Sequence, residues 1–428
     1  MFKLKEIEIH GFWQSHTAIV NLREDVNIII GKNGTGKTTF MNIVHAVLTV
    51  DLEALLENAF KSVTLKLTDG KRIRTVRAAR RELEIPPFAI IEYHISNRKF
   101  FAPLIGGDDS RMMSPSIRRR AAEEAQKIKK KLSSFVAVAS LSVYRIGGET
   151  DPDFRERMVR RYTSAVDVRL LSLMQSLTQY QLELSDAARD ISANLQRDVL
   201  TSLLYAEDKG RDSVYSLVFD EVVERKNIVS AYRQLGLGGD DVAKKIQDHL
   251  AAVGTTVKNL RQRAEVNGTG DTKAKRDLPV DFAALEAFKL TSKVVAKSLD
   301  AERRTKEVFS QMTLFIDTLK SFIKDKKFTF SAGELSVSNG GPIPLPKLSS
   351  GEKQLLILFI EALLQRQKPF IFLADEPELS LHIAWQRNII SAICSINPNA
   401  QIIVATHSPE VAGKFRLAIL DMEDILHG

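Results

Sequence analysis

The sequence predicts an α/β protein whose mixed sheet is interrupted by a long helical insertion. Three observations carry this. Short alternating or apolar runs fill most of the first 95 residues and return after residue 327. Residues 151–326 instead carry helical periodicity over stretches far longer than a strand. A glycine-rich loop joins an early apolar run to a helix, the order of a phosphate-binding turn.

Taken in order, Lys3 to Ile9 alternates and reads as a strand, with Ala18 to Leu22 as its antiparallel partner. Val26 to Ile30 is a short apolar run, expected of a strand buried on both faces. A helix is expected from about Thr38 to Leu48 after the glycine-rich loop. Residues 62–76 read as a hairpin: Val63, Leu65 and Leu67 alternate, Asp69-Gly70 turns, and Ile73 and Val76 continue. Phe88 to Ile95 is a further strand, 117–132 a basic helix, and Ser134 to Val143 a strand-like run. Helices are expected over Val168–Leu203, Val214–Tyr232 and Phe282–Ile323, with a loop at Gly268–Pro279. Short strands return at Phe328–Phe330 and Leu335–Val337. A helix over Glu352–Leu364 follows, then strands at Phe370–Ala374, Gln401–Ala405 and Ala418–Leu420. The domain expectation is therefore a discontinuous head, 1–150 and 327–428, around a helical insert, 151–326. Two insert helices of about 40 residues would span about 60 Å, so a compact lid or hairpin is expected, not a long arm.

Composition narrows the classes. With 428 residues, 44% hydrophobic and 27% charged, the chain is neither disordered nor collagen-like. The single cysteine, Cys394, excludes an intramolecular disulfide and suits a reducing cytoplasm. No apolar run reaches the roughly 18 residues of a membrane span, and MFKLKEIEIH alternates, unlike a signal peptide. Lys and Arg total 61 against 53 acidic residues, a net charge of +8. Residues 71–81 hold six bases and no acid, and 111–131 hold eight bases and two acids. These patches have two readings: nucleic-acid phosphate contact, which would weaken steeply with salt, or a solvated or subunit-facing charge face. The alternation of Arg72 and Arg74 suggests one exposed strand face. Little aromatic residue is interleaved, so a stacking platform for single strands is not supported.

Gly31-Lys-Asn-Gly-Thr-Gly-Lys-Thr38 fits the phosphate-loop pattern between a strand and a helix. The N–H groups around Gly31, Asn33, Gly34, Gly36 and Thr39 can cradle phosphate at a helix N-terminus. Lys37 would reach the β- and γ-phosphates, and the Thr38 hydroxyl would bind Mg²⁺. Phe370 to Glu376 is an apolar run ending in two acids, placing them at a strand's C-terminal edge. There Asp375 would hold Mg²⁺ and Glu376 would polarise the attacking water.

Leu348-Ser-Ser-Gly-Glu-Lys-Gln354 precedes an apolar helix, and with it the chain resembles the ATP-binding-cassette ATPases. LSSGEKQ looks like their signature motif, Glu376 to His382 like the end of Walker B plus the D-loop, and Ala405-Thr-His-Ser408 like the switch-histidine loop. The resemblance implies that Lys37, Thr38, Asp375, Glu376 and His407 act in cis on ATP. Ser349, Gly351 and the following helix would cap the γ-phosphate held by a second subunit, and Ser380 to His382 would touch that partner. Read alone, Ser349 or Ser350 is equally a helix N-cap. Departures from the transporter pattern are Ser350 for a glycine, Glu352 for a glutamine, and the absence of an assignable Q-loop, Gln126 being a poor candidate. These departures and the insertion resemble the RecF/Rad50/OLD-type branch. Within it the layout is most similar to ATPase subunits of bacterial anti-phage systems, PARIS AriA first and Septu PtuA second. That resemblance implies an ATP- and Mg²⁺-dependent, slow ATPase, in ATP-sandwich dimers or a larger ring. It would sense a phage trigger protein and control a separate effector, possibly a Toprim-type nuclease. No nuclease constellation follows His407, so the effector is expected on another polypeptide. A RecF-like clamp on DNA is the alternative. A transporter ATPase and a non-hydrolysing scaffold fit less well, and no membrane partner is expected. A Tyr144-Arg145 strand end also resembles this branch.

Overall fold

The computed structural model describes residues 1–84, 89–104, 115–141, 165–202, 219–266, 279–331 and 333–427. In chain order the first elements are β1 (Lys3–Phe12), β2 (His16–Asn21), β3 (Val26–Ile30), α1 (Lys37–Thr49) and α2 (Leu52–Glu57). Then come β4 (Ser62–Thr68), β5 (Ile73–Glu82), β6 (Ala89–Ile95), β7 (Arg98–Leu104), α3 (Pro115–Ser133) and β8 (Val138–Leu141). The helices α4 (Ala165–Ser202), α5 (Glu221–Gln234), α6 (Asp240–Val266) and α7 (Phe282–Phe322) follow. The chain closes with β9 (Lys327–Ser331), β10 (Glu334–Ser338), β11 (Pro342–Ile343), α8 (Ser350–Leu364) and β12 (Phe370–Asp375). After these come α9 (Ile383–Gln386), α10 (Ile389–Ile396), β13 (Ala400–Ala405), α11 (Pro409–Ala412), β14 (Ile419–Asp421), α12 (Met422–Ile425) and β15 (Leu426–His427). The α/β class with both parallel and antiparallel pairing and a long helical insertion is what the chain adopts. The Tyr144-Arg145 pair, residues 268–278 of the expected loop and the start of the expected 214–232 helix lie outside the described residues.

The chain divides into two compact units, Met1–Tyr180 with Gln311–Gly428, and Gln181–Ser310. The first holds all three sheets. A seven-stranded sheet runs β15-β2-β1-β4-β5-β6-β7, each neighbour antiparallel. A five-stranded sheet runs β14-β3-β13-β12-β8, every pair parallel. A small antiparallel sheet joins β9, β10 and β11. One apolar core takes Ile7, Val63 and Ile91 from the first sheet, Phe40, Ile43 and Val47 from α1, and Ile371, Leu373 and Ile403 from the second. Phe370 and Phe372 alternate with those β12 residues and are equally buried, so they face the other side. The apolar run is thus explained by a strand covered twice. Helix α8 is apolar nearly all round from Leu355 to Leu363 because it is buried nearly all round, packing on α10 and β8. Gln401 pins the two large sheets: its side chain accepts from Leu4 N–H at 2.7 Å and donates to the Leu4 and Arg23 carbonyls at 2.6 and 2.7 Å.

The second unit builds its own smaller cores. Ile228, Ala231, Ile246, Leu250 and Val295 form one, and Val253, Val257, Ala284 and Leu285 another. Ser298, fully buried, donates to Gln234 there, so its hydroxyl is satisfied.

The hairpin expectation needs one correction. Arg72 lies in the turn, where its N–H donates to Asp69 at 2.7 Å. Arg74 does not share an exposed face with it. Its guanidinium lies 4.8 Å from the Phe2 ring and 4.9 Å from the Phe135 ring, a cation–π contact on the inner face. Arg77 and Arg81 point outward instead. The reason is the period of two: β5 buries Val76 and Ala78, and Arg74 shares their side. Among the described residues no helix is long and apolar enough to cross a membrane.

Candidate nucleotide site

Three parallel neighbours set the site. β3 lies beside β13 and β13 beside β12, so the loops that follow them open at the same C-terminal edge. Those loops carry the glycine-rich turn, Thr406-His407, and Glu376-Pro377-Glu378.

Gly36 caps α1 at φ +92°, and no side chain caps that N-terminus. The leading N–H groups of α1 are therefore left to a ligand, an arrangement suited to phosphate. A Cβ at Gly36 would stand 2.8 Å from the Trp13 ring and 2.9 Å from Phe12, so the position is closed to side chains. Asn33 and Gly34 lie exposed at the loop tip, Thr38 is exposed, and Gly31 and Thr39 are half-buried. Lys37 is 5% exposed and folds onto its own loop, donating to the Gly31 and Lys32 carbonyls at 2.8 and 3.0 Å. Burial holds its ammonium below the ordinary lysine range, while Glu376, Asp375 and Asp421 pull it upward.

Asp375 ends β12. Burial pushes its carboxyl above the usual range; the Thr38 hydroxyl pulls it back, Glu376 raises it again, and Lys37 and His407 lower it. Its Oδ1 is buried and, among the described residues, has no hydrogen-bond partner. An orphaned carboxylate oxygen beside a threonine hydroxyl is a donor pair that fits a hard cation such as Mg²⁺. The same strain gives a prediction. In chelator, without nucleotide, Asp375→Asn should melt at a higher temperature than wild type. The folded-state pKa is raised, so the ionised carboxylate weighs against the fold at neutral pH. The gain of the variant should shrink as pH falls through that raised range and vanish well below 3.8, where the wild-type carboxyl is neutral in both states. Thermal melts across pH check this; a lower melting temperature for the variant at pH 7 contradicts it.

Glu376 sits at φ +48°, a left-handed backbone that costs a glutamate about 1–3 kcal/mol. Its N–H still donates to the Ala405 carbonyl at 2.8 Å, so the turn begins with the ladder intact. His407 Nε2 lies 3.4 Å from Glu376 Oε1, both about one-third exposed. Lys37, Thr38, Asp375, Glu376 and His407 are thus brought together.

Among the described residues, Ser349 and Gly351 make no hydrogen bond or ion pair with any of these five. Ser349 is the N-cap of α8. Its hydroxyl accepts from Glu352 N–H at 3.3 Å, and the Glu352 carboxylate accepts from Ser349 N–H at 2.8 Å, a complete capping box. The glutamate in the place of a glutamine is thereby explained. It also accepts from Lys326 at 2.6 Å. Burial, the largest influence, pushes the Glu352 carboxyl up, but its bonds to Lys326 and Ser349 bring it below the usual range. Gly351 is required within its own chain, because a Cβ there would meet the Ser380 carbonyl oxygen at 2.6 Å. Lys353 pairs with Asp167 at 2.8 Å and Arg169 with Glu361, so the first turns of α4 also grip α8. His382 caps α9 by accepting from Ala384 N–H at 3.2 Å. Gln126 is exposed on α3.

The sequence reading missed several contacts. Trp13 walls the phosphate loop from a turn with positive φ. Lys32 pairs with Glu423 at 3.1 Å. Gln354 donates to the Pro377 carbonyl at 2.9 Å, and Glu378 is buried beneath the histidine loop. Glu378 lies within the stretch Glu376 to His382, and a third acid two residues beyond Glu376 is the signal available in the sequence.

Two family models match. Residues 2–142 match an AAA ATPase domain, and residues 240–413 match an AAA domain described as a putative AbiEii toxin of a type IV toxin–antitoxin system. A probable ATPase of retron Vc95 from Vibrio cholerae is 36% identical over 87 residues, 18% of this chain and 17% of that protein's length. The Smc head domain of Pyrococcus furiosus, solved with an extended coiled coil and the C-terminal domain of ScpA, superposes with a TM-score of 0.43 at 13% identity. That match covers 98% of this chain and 93% of that one. The SMC head domain of Thermotoga maritima gives 0.38 at 10% identity, over 96% and 91%. The phosphate loop lies inside the first matched stretch, and the acidic strand end and the histidine loop lie inside the second, so both parts of the site fall in segments similar to AAA-type ATPase domains.

Proposed function

We propose that the chain is a slow, Mg²⁺-dependent ATPase that works as a nucleotide-gated switch in anti-phage defence, controlling a separate nuclease or toxin. The observation that carries the ATPase part is the meeting of Lys37, Thr38, Asp375, Glu376 and His407 at one sheet edge, with Asp375 Oδ1 buried and unpartnered. In this reading the N–H groups from Gly31 to Thr39 and Lys37 hold the phosphates, and Thr38 and Asp375 hold Mg²⁺. Bound Mg²⁺ supplies charge neutralisation on the β- and γ-phosphates. Glu376 takes the proton of the attacking water, and His407 orients Glu376 and the γ-phosphate. Residues 1–150 and 327–428 act as the head and 151–326 as the insert.

Ser349 and the start of α8 act in trans on a second copy, so ATP bridges two heads, as a dimer or a ring. The Ser349 hydroxyl accepts from Glu352 N–H, which leaves its own hydrogen for a phosphate oxygen. Ser349→Ala should therefore lower turnover by about 10-fold or more while ATP affinity in the dilute monomer is unchanged. Phosphate release and equilibrium nucleotide binding read the two separately. Lost monomer affinity overturns the trans arrangement.

The toxin–antitoxin description of one matched model and the retron ATPase support the defence assignment. Plaque counts on cells carrying the gene with its genomic neighbours test it. Equal plaquing with wild type and Glu376→Gln sinks the defence role and leaves the ATPase role standing.

A further inference from the structure

We propose that Glu378 is the positioning residue of the histidine loop: its buried carboxylate fixes the backbone of residues 406–408 and so sets His407 against Glu376. The inference rests on the ATPase reading above and goes beyond it to a residue outside the nucleotide shell.

Glu378 is 8% exposed, in a protein where a buried carboxylate is costly unless its lone pairs are used. Among the described residues, all the donors to its carboxylate come from one loop. Its Oε1 accepts from the Thr406 hydroxyl, from His407 N–H at 3.2 Å and from Ser408 N–H at 3.3 Å. Oε2 is buried and takes none. Consecutive N–H groups converging on one anion form a nest, and here the anion is supplied by the protein itself. The rest of the loop is held from the sides. Thr406 N–H donates to the Ile29 carbonyl at 3.1 Å, and the Ser408 hydroxyl donates to Gln386 at 2.8 Å.

The geometry makes Glu376 and Glu378 a pair. β12 stops at Asp375, and the left-handed turn at Glu376 sends the segment 376–378 along the loop after β13. Glu376 meets the His407 imidazole at 3.4 Å, and Glu378 meets the His407 backbone. One short segment therefore grips both ends of the same histidine. That segment is itself anchored, because Gln354 of α8 donates to the Pro377 carbonyl between the two acids at 2.9 Å. An apolar side chain of similar volume would fill the space at less cost in desolvation. What the carboxylate adds is a fixed register for three backbone residues, and the one among them with chemistry is His407.

The test is a double-mutant cycle read in kcat and KM. Glu378→Ala should lower kcat by about 10- to 100-fold, the cost of a misplaced catalytic group, with the KM for ATP within about threefold of wild type. Glu378→Gln, which keeps an acceptor oxygen of the same reach, should retain most of the turnover. Glu378→Asp, which keeps the charge but falls one methylene short, should behave as Glu378→Ala and replaces it in the cycle if that variant does not fold. On a His407→Ala background the Glu378 substitution should change kcat by less than about threefold. Losses that multiply in the double variant, a loss confined to KM, or unchanged kcat each overturn the proposal. A readout without turnover separates this from failure of the ATPase reading. Glu376→Gln should move the His407 ring Cε1–H resonance in the wild-type background and leave it in place when Glu378 is Ala or Asp. An equal movement in both backgrounds overturns the positioning role, whereas absent turnover in wild type with the expected resonances overturns the ATPase reading alone.

Discussion

Glu376→Gln should lower ATP turnover by about 10²- to 10⁴-fold, the usual contribution of a positioned base, while ATP binding stays intact. The substitution is nearly isosteric. The φ of +48° and the N–H bond to Ala405 do not depend on the charge. Only the basicity goes. Because the γ-phosphate would persist, ATP should hold heads together, and light scattering should show an assembly that survives long after wild type has dissociated. Phosphate release, nucleotide binding and mass in solution measure the three parts. Normal turnover in the variant removes Glu376 from its role. Loss of binding would mean that the glutamate builds the pocket and does no chemistry.

Lys37→Ala should abolish ATP binding at concentrations that saturate wild type, a loss of several kcal/mol expected when a charged phosphate contact is removed from a partly dry site, about 2–5 kcal/mol. The structure adds a second consequence. Without nucleotide, Lys37 satisfies the Gly31 and Lys32 carbonyls. Removing it takes the lysine from the Gly31 carbonyl, while the Lys32 carbonyl keeps Thr35, so the loop itself should loosen at its start. Hydrogen exchange on residues 31–37 should therefore rise in the variant before any ATP is added. Faster exchange with retained ATP binding would show that the lysine serves the loop and not the ligand. Burial already holds the Lys37 ammonium below its ordinary range, and arriving phosphate oxygens would reverse that.

Much of the head was legible because its signals are local. The phosphate loop lies within eight residues between a strand and a helix, and glycine is demanded at Gly36 by backbone sign and by the crowding of Trp13 and Phe12. The acids were legible because they directly follow an apolar run, which places them where a strand buried on both faces reaches the sheet edge. Long helices were legible by period, and α4 and α7 fall close to the expected ranges. The strand β7 and the short helix α2 were not foreseen, since seven and six residues carry little periodic signal.

The sidedness of Arg74 shows the limit. Its alternation with Arg72 was read as exposure, but a period of two says only that alternate residues share a face, not which face is dry. The two phenylalanines that receive Arg74 come from residues 2 and 135, and no window around 74 contains them. Gly351 shows the same limit from the other side. It was read as a residue facing a partner's phosphate, and within its own chain the Ser380 carbonyl already forbids a side chain.

By itself the sequence determined the class of the fold, the phosphate loop, and the order of the acidic strand, signature stretch and histidine. These are set by spacing along the chain, which local sterics and hydrophobic period fix. Only the tertiary structure decided which residues serve one another. Thr38 meets Asp375, Lys37 turns onto its own loop, Gln354 holds Pro377, and Glu378 holds residues 406–408. The contacts of Thr38 with Asp375 and of Glu378 with residues 406–408 exist because three parallel strands bring their C-terminal ends to one edge. Strand order is a property of the packed sheet, so no reading of one segment could supply it.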